Sequence, residues 1–145
     1  NTGENLNMAG LIGAWTLVSS VNYRNDEGKP TFGTPPGGQL QYTADGRMGA
    51  FLQDPDWAAR GENDKVPDSF TEFFAYAGRW ELNGDQVRHV IEFASVPTRV
   101  GTEFTRTLNV IDDDTMELTT APETSKSGAV YVTKLVWKRA SASNQ

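Results

Sequence analysis

The sequence predicts an all-β protein: an eight-stranded, up-and-down antiparallel barrel with one short helix. Three observations predict it. Eight runs of residues alternate between apolar and polar side chains with the period of a strand. These runs follow one another in chain order, joined mostly by short turns rich in Gly, Asp and Asn. The first run (residues 11–19) and the last (residues 130–139) are both rich in apolar and β-branched residues, as two strands must be if they meet and close a barrel that has no free edge. A two-sheet sandwich is the competing architecture for the same strand count.

Composition sets the outer bounds. A chain of 145 residues with 37% hydrophobic and 22% charged residues is one globular domain rather than a disordered segment. Its expected organisation is a flexible lead-in over residues 1–10, a barrel over 11–139 and a flexible tail over 140–145. The net charge of −6 argues against nucleic acid, because no basic stripe is present to displace counterions from phosphates. No apolar run approaches the ~20 residues of a spanning helix, so membrane insertion is not expected. There is no cysteine, which removes disulfides, thiolate nucleophiles and Cys-based zinc sites. The sequence opens on Asn1, so a leader removed on export and a trimmed start both remain open, and the compartment with them. The oligomeric state is equally open.

Taken in order, residues 12–24 form a long first strand with Trp15, Leu17, Ser19, Val21 and Tyr23 on one face. Residues 26–30 make a turn, and Thr34, Pro35, Pro36, Gly37 and Gly38 make a constrained loop. Residues 39–43 and 48–53 pair across a hairpin at Asp45-Gly46. Asp54-Pro55 ends that pattern, and a polar excursion over residues 58–66 is longer than a hairpin needs. Ser69 and Glu72 have the spacing of a capping box, which places the short helix at residues 70–74. Residues 75–82 and 86–95 pair through Asn83-Gly84. Residues 103–111 and 115–120 pair through the aspartate turn 112–114, and residues 129–139 close the barrel.

Strand periodicity sorts the faces. Leu40, Tyr42, Met48, Ala50, Leu52, Tyr76, Trp80, His89, Ile91, Phe93, Phe104, Arg106, Leu118, Tyr131 and Trp137 share one face. Arg79, Glu81, Arg88, Glu92, Glu103 and Lys134 share the other, so the first set points inward. A barrel of ~8 strands is either filled by side chains or holds one small ligand. An aromatic wall with a few placed polar groups describes a pocket. The candidate ligand-binding residues are therefore Tyr42, Met48, Tyr76, Trp80, His89, Phe93, Arg106 and Tyr131. Each has a plainer reading. An inward histidine is as readily a hydrogen-bonded core residue, an inward arginine a plug paired to an internal acid or carbonyl, and inward tyrosines simple packing.

The chain carries no phosphate-binding loop, no dinucleotide fingerprint and no nucleophile elbow. One histidine does not make a zinc site, and Asp112-Asp113-Asp114 lacks the ligand spacing of a calcium loop. No cofactor or metal is expected. What remains is binding, or acid–base chemistry with His89 and Arg106 as candidate catalytic residues, the arginine holding developing negative charge.

Five motifs in order carry a family resemblance: Gly13-Ala14-Trp15 with Leu17-Val18-Ser19, the hairpin from Leu40-Gln41-Tyr42 through Asp45-Gly46-Arg47-Met48, Tyr76-Ala77-Gly78-Arg79-Trp80, the segment from His89 to Arg106, and Leu135-Val136-Trp137-Lys138-Arg139. Together they resemble the bacterial and fungal lipocalin-like domain family, small single-domain relatives of the lipocalins. The resemblance covers residues 11–139 and implies a calycin-type barrel. It also implies a structural signature, Gly13, Trp15 and Arg139, in which a basic residue of the last strand packs over Trp15, Arg139 first and Lys138 second. It implies no single activity, since some such barrels act as cyclases, isomerases or lyases. The leading expectation is a small hydrophobic ligand in the lumen. The alternatives are a cofactor-independent enzyme using His89 as acid/base, and a filled barrel acting as an interaction module through Trp57 and the Pro35-Pro36 loop.

Overall fold

The computed structural model describes residues 8–60 and 72–140. It is a closed antiparallel barrel of eight strands. The barrel strands are β1 (Gly13–Arg24), β3 (Gly37–Tyr42), β4 (Arg47–Gln53), β5 (Phe73–Asn83), β6 (Gln86–Ala94), β7 (Glu103–Asp112), β8 (Thr115–Thr120) and β10 (Val130–Arg139). Two short strands, β2 (Glu27–Pro30) and β9 (Glu123–Thr124), extend one end beside β1 and β10. Neighbours in space are neighbours in sequence, and β1 pairs with β10 from Trp15↔Arg139 to Arg24↔Tyr131. The expected meeting of first and last strands therefore closes the sheet, and the sandwich is excluded.

The turns follow from their residues. Gly46 (φ 89°) and Gly84 (φ 65°) sit in the left-handed region that hairpin connections require. In the turn after β7, the Asp114 backbone N–H donates to Asp112 Oδ1 at 2.9 Å, so the aspartate run is a solvated turn.

Two expectations change. The helix expected at residues 70–74 does not extend into the described part of that range, because Phe73 and Phe74 open strand β5. Its cap at Ser69 and residues 70–71 lie outside the described residues. Strand pairing with β4, Gln53↔Phe73 and Leu52↔Phe74, takes these two residues into the sheet. Among the described residues the α-helices are single turns: α1 (Met8–Leu11), three of whose residues fall in the expected lead-in, and α2 (Trp57–Arg60); Pro97–Arg99 adds a turn of 3-10 helix. Among the described residues no helix is long and apolar enough to cross a membrane.

The packed core lies at the α1 end. Leu11, Trp15, Leu40, Tyr42, Val87 and Met116 are almost wholly buried there. Trp15 Nε1 donates to Leu11 O at 3.0 Å, which fastens α1 across the base. The Arg139 guanidinium lies 4.3 Å from the Trp15 ring centre and donates to Gly10 O at 2.7 Å. Gly13, at φ 122°, makes the bend between α1 and β1 that brings these groups together. The structural signature Gly13–Trp15–Arg139 is thus one assembly that plugs the barrel base.

Candidate functional site

At the opposite end the side chains do not fill the barrel. A cavity of about 770 Å³ lies between the β2 side and the start of β10. Its apolar wall is built from Leu40, Leu52, Phe74, Leu118, Leu135 and Trp137. Its polar quarter comes from Ser20, Asn22, Thr31 and Thr133, which satisfy one another: Ser20 Oγ and Thr31 Oγ1 are 2.6 Å apart, and Asn22 Nδ2 donates to Thr133 Oγ1 at 2.8 Å. Phe32, with φ 61°, comes in from the loop after β2.

The chemistry concentrates on the wall formed by β5, β6 and β7. His89 is 1% exposed and held by two tyrosines. Tyr42 Oη is 2.6 Å from Nε2, and Tyr76 Oη is 2.8 Å from Nδ1. Burial, reinforced by the positive charge of Arg106, lowers the His89 pKa to about 3, so the ring is neutral at any ordinary pH. Burial pushes the Tyr76 hydroxyl up to about 12 against a smaller downward pull from Arg106, and burial also raises Tyr42 well above its ordinary value. Phe104 stands edge-on to Tyr76 with ring centres 5.2 Å apart, and the Arg106 guanidinium lies 4.4 Å from the Phe104 centroid. Among the described residues the Arg106 guanidinium has no hydrogen bond and no ion pair, while its backbone is paired within the sheet. Burial lowers its pKa, with a smaller contribution from the like charge of Arg99, which lines the same cavity, and Tyr76, Tyr42 and Glu123 partly offset this.

Of the eight candidate binding residues, Tyr76, His89, Arg106 and Tyr131 line the cavity. Tyr42 sits behind His89, sealed in the core. Met48 and Trp80 are also core: Trp80 packs 4.4 Å from the Tyr42 ring and donates from Nε1 to Thr43 O, which anchors the β3–β4 hairpin. Phe93 is a correction. It is 67% exposed on the outer surface, because the β5–β6 register shifts between Ala77 and Gly78. Gly78 pairs with Ile91 and Ala77 with Phe93, so Glu92 is the extra residue and Ala94 turns inward in place of Phe93. A Cβ at Gly78 would fall 1.9 Å from Val90 O, so the shift needs glycine there. A second shift, between Leu17 and Ser19 on β1, turns Ser20 and Asn22 inward where strict alternation put Ser19 and Val21.

Trp57 stacks on Phe73 with ring centres 5.3 Å apart. Trp137 Nε1 is buried with no hydrogen-bond partner among the described residues. Among the described residues no group of three or more His, Asp or Glu side chains is placed to hold a metal ion.

Comparison with known proteins gives a family match. The model of a family described as "Lipocalin-like domain" matches residues 12–140. No curated protein sequence matches significantly. Among solved structures, a redesigned β-barrel is 12% identical with a TM-score of 0.47, and a de novo designed fluorescence-activating β-barrel is 16% identical with a TM-score of 0.48. Each alignment covers 94% of this chain and 100% of the designed one.

Proposed function

We propose that this chain, which belongs to the lipocalin-like domain family, binds a small, mostly apolar molecule in the barrel lumen. The observation that carries the proposal is the cavity of about 770 Å³, within the ~300–1,000 Å³ range of small-molecule pockets and walled largely by aliphatic and aromatic side chains. Several of its polar groups, among them Ser20, Asn22, Thr31, Thr133 and Tyr76, are positioned by hydrogen bonds, which suits orientation of a ligand. The filled-barrel reading loses support for the same reason.

The acid/base reading of His89 fares less well. Both ring nitrogens are engaged by tyrosine hydroxyls, and a base with a pKa of about 3 is far from the value that suits proton abstraction near neutrality. The ring instead positions Tyr76.

Titration with a neutral, environment-sensitive dye such as N-phenyl-1-naphthylamine tests the proposal. Saturable binding at one site per chain is expected. Thr133→Trp projects an indole into the cavity and is expected to weaken the dye at least ~10-fold with the circular dichroism spectrum unchanged. Absence of saturable binding, or affinity unchanged in the folded Thr133→Trp variant, would overturn the lumen as the binding site.

A further inference from the structure

The Tyr42–His89–Tyr76 chain leaves one proton over. A neutral imidazole has one donor and one acceptor nitrogen. The two hydroxyls and the ring N–H supply three protons, yet the chain contains only two hydrogen bonds, at 2.6 and 2.8 Å. One tyrosine must donate to the ring and the other must accept from it, and the accepting tyrosine keeps a free O–H. Tyr42 is 2% exposed and has no other hydrogen-bond partner among the described residues, so a free proton there would cost roughly 1–3 kcal/mol. Tyr76 stands on the cavity wall. The arrangement with every buried group satisfied has Tyr42 donating to Nε2, Nδ1–H donating to Tyr76 Oη, and the Tyr76 hydroxyl proton directed to the lumen. A hydroxyl that already accepts a hydrogen bond is also a stronger donor.

Arg106 lines the same cavity, and its field acts on Tyr42, Tyr76 and His89 alike. Its guanidinium rests against Phe104, whose ring attracts the charge without neutralising it. Glu123 contributes a favourable field from the exposed rim but forms no ion pair with it. A partly buried guanidinium whose donors lack partners is matched by an oxyanion, which takes up the fork of N–H groups.

We propose that the lumen ligand is an amphipathic carboxylate whose anionic group is held between the Arg106 guanidinium and the Tyr76 hydroxyl, with its apolar body along Leu52, Phe74, Leu118 and Leu135. The inference rests on the lumen-binding reading and names its ligand class. His89 is a positioning residue in it, and Tyr42 supplies the second layer.

Displacement of the neutral dye by two probes of the same chain length, dodecanoate and dodecan-1-ol at pH 7.5, tests it. Dodecanoate is expected to bind at least ~10-fold more tightly than the alcohol, as a charge-assisted pair requires. Arg106→Met should abolish that preference while leaving the alcohol within ~3-fold of its original affinity. Tyr76→Phe, which keeps the ring, should weaken dodecanoate alone by ~3–10-fold. Equal or weaker binding of dodecanoate to the unmodified protein, with dye and alcohol both bound, would overturn the carboxylate site and leave the lumen reading standing. A preference that survives in folded Arg106→Met would do the same. Failure of dye, alcohol and dodecanoate together would overturn both.

Discussion

At the base of the barrel, Trp15 is wholly buried beneath Arg139, its N–H is used by Leu11, and the guanidinium is spent on the carbonyls of Gly10 and Ile12. At the mouth, Arg106 also lies against an aromatic ring, that of Phe104 at 4.4 Å, but its donors have no partner among the described residues. The same pairing of arginine and aromatic ring thus serves two ends. One end has a one-turn helix to cover it and supply carbonyl acceptors. The other has no such cover over Arg106 among the described residues and carries a cavity. The difference teaches that the residue pair does not decide the role. The hydrogen-bond accounting around it does.

The largest effect should come from breaking the closed end. Trp15→Ala removes a fully buried indole, its hydrogen bond and the surface on which Arg139 rests. A loss of about 3–5 kcal/mol is expected, or roughly 10–16 °C in Tm. Tyr131→Ala at the mouth removes an aromatic ring of comparable size from a partly buried position and should cost less than about 1 kcal/mol. Thermal unfolding of the two variants checks the contrast. Equal losses would mean that the mouth is as tightly packed as the base.

Much of this contrast was legible in the sequence. The eight strands and the closing pair follow from alternation and turn residues, and the family resemblance implied that Arg139 packs over Trp15. Alternation assumes an unbroken period of two, and two register shifts break it. The shift facing Gly78 had a visible sign, since a glycine inside a strand often marks a bulge. The shift after Leu17 had none within β1, where Val18, Ser19 and Ser20 are ordinary strand residues. It is the reason Ser20 and Asn22 were missed as lining. The bond chain from Tyr42 to Tyr76 was illegible for a different reason. Its members sit on β3, β5 and β6, and only barrel curvature brings Tyr42 across to a ring on β6.

That chain makes the next prediction. The His89 pKa is held at about 3 in the folded protein against 6.5 for the free side chain. As pH falls, the unfolded chain takes up the proton first. The contribution of neutral His89 is therefore complete above pH 6.5 and is lost progressively between 6.5 and about 3. Between pH 7 and 5 the loss should be about 2 kcal/mol, a window that lies mostly above carboxylate titration. Urea midpoints at pH 7, 6 and 5 measure it, with His89→Gln as the control that retains a donor and an acceptor but does not titrate. The variant should be less stable at pH 7 and flatter with pH. Parallel slopes for the two proteins would mean that His89 takes up its proton as readily in the fold as in the unfolded chain, so that burial between the two tyrosines does not hold the ring neutral.

The smallest effect is expected at Phe93, and its smallness is informative. Two positions earlier on the same strand, Ile91 is 1% exposed, whereas Phe93 is 67% exposed. The extra residue at Glu92 separates them, and Glu92 itself lies on the outer face, paired to Arg47 at 2.9 Å and Arg79 at 3.2 Å. Phe93→Thr puts a β-branched residue of good strand propensity at an exposed strand position and should change stability by no more than about 0.5 kcal/mol. Dye affinity should be unchanged. A clear loss of dye binding would place Phe93 back inside the lumen and require a β6 without its bulge. Tyr76 would then no longer stand opposite Ala94, and the wall that presents its hydroxyl beside Arg106 would have to be rebuilt.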